Sequence, residues 1–405
     1  MAVMKTMLLS SMLVVSVQVQ AYGWSGPEPF RLERLDGRSF MLNEESFLHR
    51  SSFQAMPVVR MQDTWADDGW YGTAGSTRSR EFYVQSHLQK RVQFDVPMFV
   101  GVRFRRDEDL DGRFDRTLFG SGYASADGRL ELGVWGDVQG SKEQIDLQVE
   151  GVWRPRANQW LRATVISPDA MYNSKTYDSS FYQRKPLTLH LAAGTSFAAG
   201  QQLYGFTNLN RQMEYHQPEL EQQWTDKQYS AGIGWLLPVS ANWQIGLQSQ
   251  GLYGLRQQLQ GDALVLQLRR QFSDTSLELQ SRQSQRIDYW GGVRYLTLRE
   301  QDQTQLTQLQ MLEQRDEWML YGGFAWNWRD WIRLKPALML SYADIKGQRP
   351  DDDEPLDFSG IMAKLVPMVE FLLHQQSGAV IRVNPTIELH NLSFGGGNVQ
   401  VHIPF

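Results

Sequence analysis

The sequence predicts an all-β fold, a transmembrane antiparallel β-barrel of roughly 14–18 strands. Three observations lead there. Short runs in which every second residue is apolar recur from about Arg80 to Phe405 without a domain break. No run in that stretch approaches the ~20 apolar residues that a spanning helix needs. The amino-terminus nonetheless reads as an export signal. A membrane chain without spanning helices must close its strands into a barrel, because lipid offers no partner to an open sheet edge.

The export signal is residues 1–21. Lys5 supplies a positive charge, Met7 to Val17 is mostly apolar and broken only by Ser10, Ser11 and Ser16, and Val19, Gln20 and Ala21 precede Tyr22. That is a secretory signal peptide in outline, and its apolar part is too short to span. Later in the chain the most apolar stretch, Ile361 to Leu373, is interrupted by Lys364, Pro367 and Glu370.

The strands rest on period-two alternation, since successive strand residues point to opposite faces. Met98, Val100, Val102 and Phe104 alternate with Phe99, Gly101, Arg103 and Arg105. Leu130, Leu132 and Val134 alternate with polar or small residues, as do Ile145, Leu147 and Val149. The pattern returns at Leu187–Leu191, at Trp243–Leu247 and at Ile381–Leu389. Turns are expected at Gly140-Ser141, Pro155 to Asn158, Ser273-Asp274, Arg329-Asp330 and Gln375 to Gly378. Longer breaks fall at Asp107 to Gly112, Ser167 to Gln183, Gln217 to Asp226 and Gly347 to Pro355. Strands of about 9–11 residues then divide the stretch into a number centred on about 16.

A soluble β-sandwich would also alternate. The unbroken length of the pattern disfavours it. So does the cluster Trp318, Tyr321, Trp326, Trp328 and Trp331 around one turn, which reads as an interfacial girdle. Residues 22–79 alternate weakly and contain Pro27, Pro29 and Pro57. They read as a leader: a periplasmic segment, a plug inside the lumen, or a disordered stretch.

Composition narrows the functional classes. The chain has no cysteine, which excludes a disulfide framework and any thiolate chemistry. A mean hydropathy of -0.44 argues against a helical membrane protein, whereas a barrel can turn every second residue toward water. A formal net charge of -5 gives no basic surface for nucleic acid.

The final run Gly397 to Phe405 places Val399, Val401, Ile403 and Phe405 on one face of a strand. It resembles the terminal strand of bacterial outer-membrane β-barrels, whose assembly machinery reads a last strand ending in Phe. The resemblance covers about Arg80 to Phe405. It implies a Gram-negative outer membrane, contact with outer-membrane lipid, and insertion by the barrel-assembly machinery, with Val399, Val401, Ile403 and Phe405 as the assembly signal. Counting strands back from a periplasmic Phe405 puts the turns at Gln375 and Arg329 on the periplasmic side and Gly347 to Pro355 outside.

Side chains in the opposite phase to the apolar ones would line the lumen. They include Arg103, Arg105, Glu131, Asp137, Asp146, Glu150, Arg382, Glu388 and His390. Both signs occur, so strong ion selectivity is not indicated. Asp107, Asp109, Asp111, Gly112 and Asp115 match the front half of a calcium loop, but Leu118 stands where the closing bidentate acid belongs. Asp351 to Glu354 forms a solvated acidic loop tip. The seven histidines lack metal spacing and no Gly-x-Ser-x-Gly elbow occurs, so an enzyme is not expected. The first functional reading is a porin-like channel for small solutes. The alternative is a structural, surface or assembly barrel without an open pore.

Overall fold

The computed structural model describes residues 68–77, 81–108, 113–137, 147–167, 170, 181–197, 200–281, 287–304, 310–348, 358–374, 378–389 and 392–405. The export signal, the leader up to residue 67 and the Gly140-Ser141 turn lie outside them. In chain order the strands are β1 (Gly69–Thr77), β2 (Glu81–Gln93), β3 (Met98–Glu108), β4 (Arg113–Ala124), β5 (Leu130–Asp137), β6 (Leu147–Arg156) and β7 (Gln159–Ser167). Then come β8 (Phe181–Arg184), β9 (Leu187–Ser196), β10 (Gln202–Arg211), β11 (Met213–Gln217), β12 (Gln222–Pro238), β13 (Trp243–Gln260) and β14 (Ala263–Ser281). The last six are β15 (Ile287–Thr304), β16 (Gln310–Arg329), β17 (Ile332–Gln348), β18 (Phe358–His374), β19 (Ala379–Glu388) and β20 (Ser393–Pro404).

Every pairing is antiparallel, and β1 pairs with both β2 and β20, which closes the sheet. Ala74 faces Val399 across the seam, and the Phe405 N–H donates to the Asp68 carbonyl at 3.0 Å. β8 precedes β9 in line and β11 follows β10, pairing with each other beyond the ring. The ring itself has 18 strands. That lies within the expected range and above its centre of about 16.

Three sequence expectations are corrected here. The barrel starts at Gly69, inside the segment read as leader. β1 is rich in Gly, Ala, Ser and Thr, so it carries almost no hydrophobic alternation. Ser273-Asp274 is no turn but the middle of β14, where the Ser273 hydroxyl meets Thr297 at 2.8 Å. The Gln217–Asp226 break shrinks to one 3-10 turn, Pro218–Leu220, closed by Glu221 in the left-handed region at φ 51°. Strand length also departs from expectation: β12 to β18 run 17 to 20 residues. In β16, for example, Gln314 to Glu317 are polar in both phases, so no apolar period marks that part of the strand.

Antiparallel order sorts the connections as expected. The Asp330-Trp331 turn and the β18–β19 connection share the end that holds Phe405, and the β17–β18 connection lies at the other.

The outer face is apolar. On β16 and β17, Leu320, Phe324, Leu338 and Leu340 are all exposed. At the end far from Phe405, Trp318 packs tilted against Tyr295, centroids 4.4 Å apart, and faces Tyr342. At the near end Trp328 and Trp331 are exposed, and Trp331 stacks on Phe371. Ten residues separate Trp318 from Trp328; at ~3.4 Å rise and ~40° tilt, that is an apolar band about 25 Å tall between two aromatic girdles. The cluster expected as one girdle is therefore split between two levels. Tyr321, in the other phase, is buried on the inner wall.

The inner wall is built close to the sheet. A Cβ on Gly120 of β4 would occupy the space of the Trp135 ring from β5. Gly234 of β12 likewise receives Tyr204 of β10, and Gly194 of β9 receives Trp160 of β7. Each ring lies over a neighbouring strand's glycine instead of reaching toward the axis, an arrangement that also supplies the packing glycine lacks. Gly120→Val should displace Trp135 and cost about 1–3 kcal/mol, read as a lower urea midpoint of the folded barrel.

Candidate functional site

The inner wall is the candidate site, and period-two phase determines which residues form it. On β14, Leu277 and Leu279 face outward, so Asp274 and Glu278 face inward. On β18 the inward phase is Lys364, Val366, Met368 and Glu370, all buried. The two charges that interrupted the apolar run in the sequence are thus lumen residues of one continuous strand.

The first charged group spans β2 to β6. Arg103 is buried and donates from Nη2 to Glu150 at 2.5 Å and from Nε to Gln89 at 2.9 Å. Its guanidinium lies 3.6 Å from the Trp135 ring centroid, and Trp135 Nε1 also donates to Glu150, at 2.9 Å. Nearer the Phe405 end, Arg91 bridges Asp68 at 3.0 Å and Glu131 at 3.2 Å, and Arg154 reaches Glu131 at 2.8 Å. Flat guanidinium groups both stack on rings and hydrogen-bond carboxylates, which suits them to such crowded corners.

Further round the wall, Arg256 donates from Nε and Nη2 to Asp226 at 3.0 Å, and Arg294 makes a bidentate pair with Asp274 at 2.5 Å. Arg315 pairs with Glu317 two residues along the same face. Glu370 is a hub: Arg382 Nε donates to it at 2.7 Å, Lys335 Nζ at 3.3 Å, and Arg333 stands at 3.9 Å. Arg333 also reaches Asp288 at 2.6 Å, and Lys364 lies 3.9 Å from Glu388.

Between these groups lies an apolar patch on the inner wall of β15 to β18. Leu296, Leu298, Met319, Tyr321, Ala337, Met339, Val366 and Met368 form one buried cluster. On β6 to β10, uncharged groups line one level: Gln148 faces Ile166, Ile166 faces Thr188, and Thr188 faces Asn210.

Of the residues expected at the lumen, Arg103, Glu131 and Glu150 gather in the first group, Arg382 joins the Glu370 hub, and Glu388 faces Lys364. Asp137 is buried at the far end of β5. The Arg105 side chain, Asp146 and His390 lie outside the described residues. So do the calcium-loop carboxylates, the side chains of Asp107 and Asp115 together with Asp109 and Asp111, and the acidic tip Asp351 to Glu354. Among the described residues no group of three or more His, Asp or Glu is placed to hold a metal ion. Sequence reasoning missed Asp274, Glu370, Lys335 and Lys364; extending the phase of Leu277, Leu279, Leu338 and Phe371 along their strands would have found them. In the last strand Asn398 and Gln400 are buried inward while Val399 and Phe405 are exposed outward.

No protein-family description and no curated protein matches the chain. Among solved structures it is similar to the outer-membrane expressed OmpT of Vibrio cholerae, at 9% identity over 84% of this chain and 99% of that one, with a TM-score of 0.36. It is also similar to OccK11 of Pseudomonas aeruginosa, at 11% identity over 83% and 94%, TM-score 0.39. A third is a BenF-like porin from Pseudomonas fluorescens Pf-5, at 10% identity over 83% and 96%, TM-score 0.43. No function is carried over from likenesses of this degree. The class rests on the chain itself: an even-numbered closed antiparallel ring, an apolar band between aromatic girdles and a polar inner wall. The chain is a transmembrane antiparallel β-barrel of 18 strands.

Proposed function

We propose that this barrel is a channel for small solutes. One observation carries the reading: among the described residues, the inward side chains engage one another along the wall. Among the described residues, wall ion pairs such as Arg294 with Asp274 and Arg382 with Glu370 join the same strand or strands close in the ring, and large rings such as Trp135 and Trp160 lie over glycines. Wall groups satisfied sideways leave the axis of an 18-strand ring to water, as barrels of 16–18 strands characteristically do. Because both signs are paired, selectivity between anions and cations should be weak.

The test is single-channel recording in a planar bilayer, on the intact folded chain and on the chain cleaved next to Ala66 after folding. Discrete steps that persist at moderate voltage, in either form, are the expected result. Silence from both forms, with heat-modifiable migration proving the barrel folded, would sink the channel reading and leave a structural barrel.

A further inference from the structure

We propose a lateral passage through the wall between β18 and β19, by which small hydrophobic solutes leave the lumen for the bilayer. It rests on the channel reading for the supply of solute, but the passage is tested separately. The ladder is interrupted there. Lys364 pairs with Glu388 and Leu365 with Ile387, and pairing resumes in the same register at Val369 with Val383 and Glu370 with Arg382. Between them Val366, Pro367 and Met368 have no ladder pairing to β19. The register sets Pro367 opposite Pro385. Neither has an N–H, so both hydrogen bonds of that rung are lost. On the other side of β18 the ladder to β17 runs unbroken past Pro336 and Pro367, which shows that Pro367 turns its backbone polar edge toward β19.

The break falls where the wall is apolar on both faces. Pro336, which faces Pro367, stands two residues from Leu338 near the middle of the lipid-facing band. Leu365, Pro367, Val369, Val383, Pro385 and Ile387 share the outward phase around it. On the lumen side, Val366 and Met368 form the β18 edge of the apolar cluster that includes Ala337 and Met339. Methionine adapts its shape to what it touches, so such a patch accepts varied apolar bodies. Across the break, Asn384 and Thr386 of β19 are buried in the inward phase. Asn384 Nδ2 donates to Asn398 at 2.7 Å, but Asn384 Oδ1 and Thr386 Oγ1 have no hydrogen-bond partner among the described residues. One edge is thus hydrocarbon and thioether, and the other offers an acceptor and a hydroxyl. That pairing of edges suits a solute with an alkyl or aryl body and one hydrogen-bonding head.

Ion pairs frame the break on both sides, which lets the strands part locally while the barrel stays closed. Arg382 holds Glu370 at 2.7 Å on one side, and Lys364 stands 3.9 Å from Glu388 on the other. Between the intact rungs at Leu365 and Val369 the unladdered edge runs about 14 Å, ample for an aromatic ring or an acyl chain. In the structure the side chains close this edge, so passage requires β18 and β19 to separate there. The seam between β16 and β17 also skips a rung at Pro336, but its partner Phe324 keeps an N–H, so only one donor is lost.

The absence of cysteine allows a reversible lock. Val366→Cys and Thr386→Cys are combined in the full chain, at positions that the register sets opposite each other and that suit a disulfide. A second variant, Pro367→Val with Pro385→Val, restores both donors of the missing rung. Each is expressed in the outer membrane of intact Gram-negative cells, and heat-modifiable migration verifies the folded barrel. The probe is N-phenyl-1-naphthylamine, a small aromatic amine that fluoresces on entering hydrocarbon. Uptake through the parent barrel should exceed that of cells lacking it. Oxidising the cysteine pair should slow uptake roughly tenfold or more, reduction should restore it, and the valine pair should slow it in the same direction. Uptake indifferent to both the closed disulfide and the valine pair would overturn the proposal. Channel and side exit fail in different ways. Steady single-channel conductance with lock-insensitive uptake refutes the side exit alone. Silent bilayers with uptake that the lock still controls refute the ion-conducting channel alone.

Discussion

Glu370→Ala is expected to destabilise the folded barrel by about 3–5 kcal/mol, as removal of one partner from a buried ionic group does. Glu370 is nearly inaccessible, and Lys335, Arg382 and, at longer range, Arg333 converge on it. Deleting the carboxylate leaves buried cations on β17 and β19 with their shared anion gone. Arg333 keeps Asp288. The measurement is the urea midpoint for unfolding from lipid vesicles, read by heat-modifiable migration. The triple variant Lys335→Met, Glu370→Met, Arg382→Met is expected to recover most of the loss, because replacing a whole buried ionic group by apolar residues is often close to neutral. An Ala variant within about 1 kcal/mol of the parent, roughly a fivefold change in the folding constant, would mean that the hub is wet and its charges screened.

The second large effect separates the two faces of one strand. Leu338 is exposed near the middle of the apolar band, and Met339, its neighbour, is buried inside. Leu338→Arg should cost about 2–4 kcal/mol in a bilayer, the penalty for a cation on the lipid face near the midplane. The cost should nearly vanish in a detergent that wets that face. Equal destabilisation in bilayer and detergent would show that Leu338 packs against protein and would refute the face assignment.

The barrel class and the phase of each strand were legible in the sequence. Met98 and Val100 outward with Arg103 inward, Val399 and Phe405 outward with Asn398 and Gln400 inward, all follow from a period-two pattern that is a local property of the backbone. Strand limits were legible only where lipid imposes that pattern. Beyond the girdle, β16 runs through Gln314 to Glu317 with polar residues in both phases, and within β14 the pair Ser273-Asp274 has turn composition. Neither announces a strand, because there hydrogen bonds to the next strand hold the chain extended, not burial.

What only the tertiary structure decided is partnership. The sequence placed Arg103, Glu131, Arg382 and Glu388 on a common wall, but nothing in it joins Arg103 to Glu150 or Arg382 to Glu370. Those pairs depend on register, and register is a long-range property fixed by every hairpin between them and by the closure of Gly69–Thr77 on the last strand. Ring size has the same origin. Local alternation says that a strand exists and which face is wet, while the number of strands that close the ring is set by the whole chain at once.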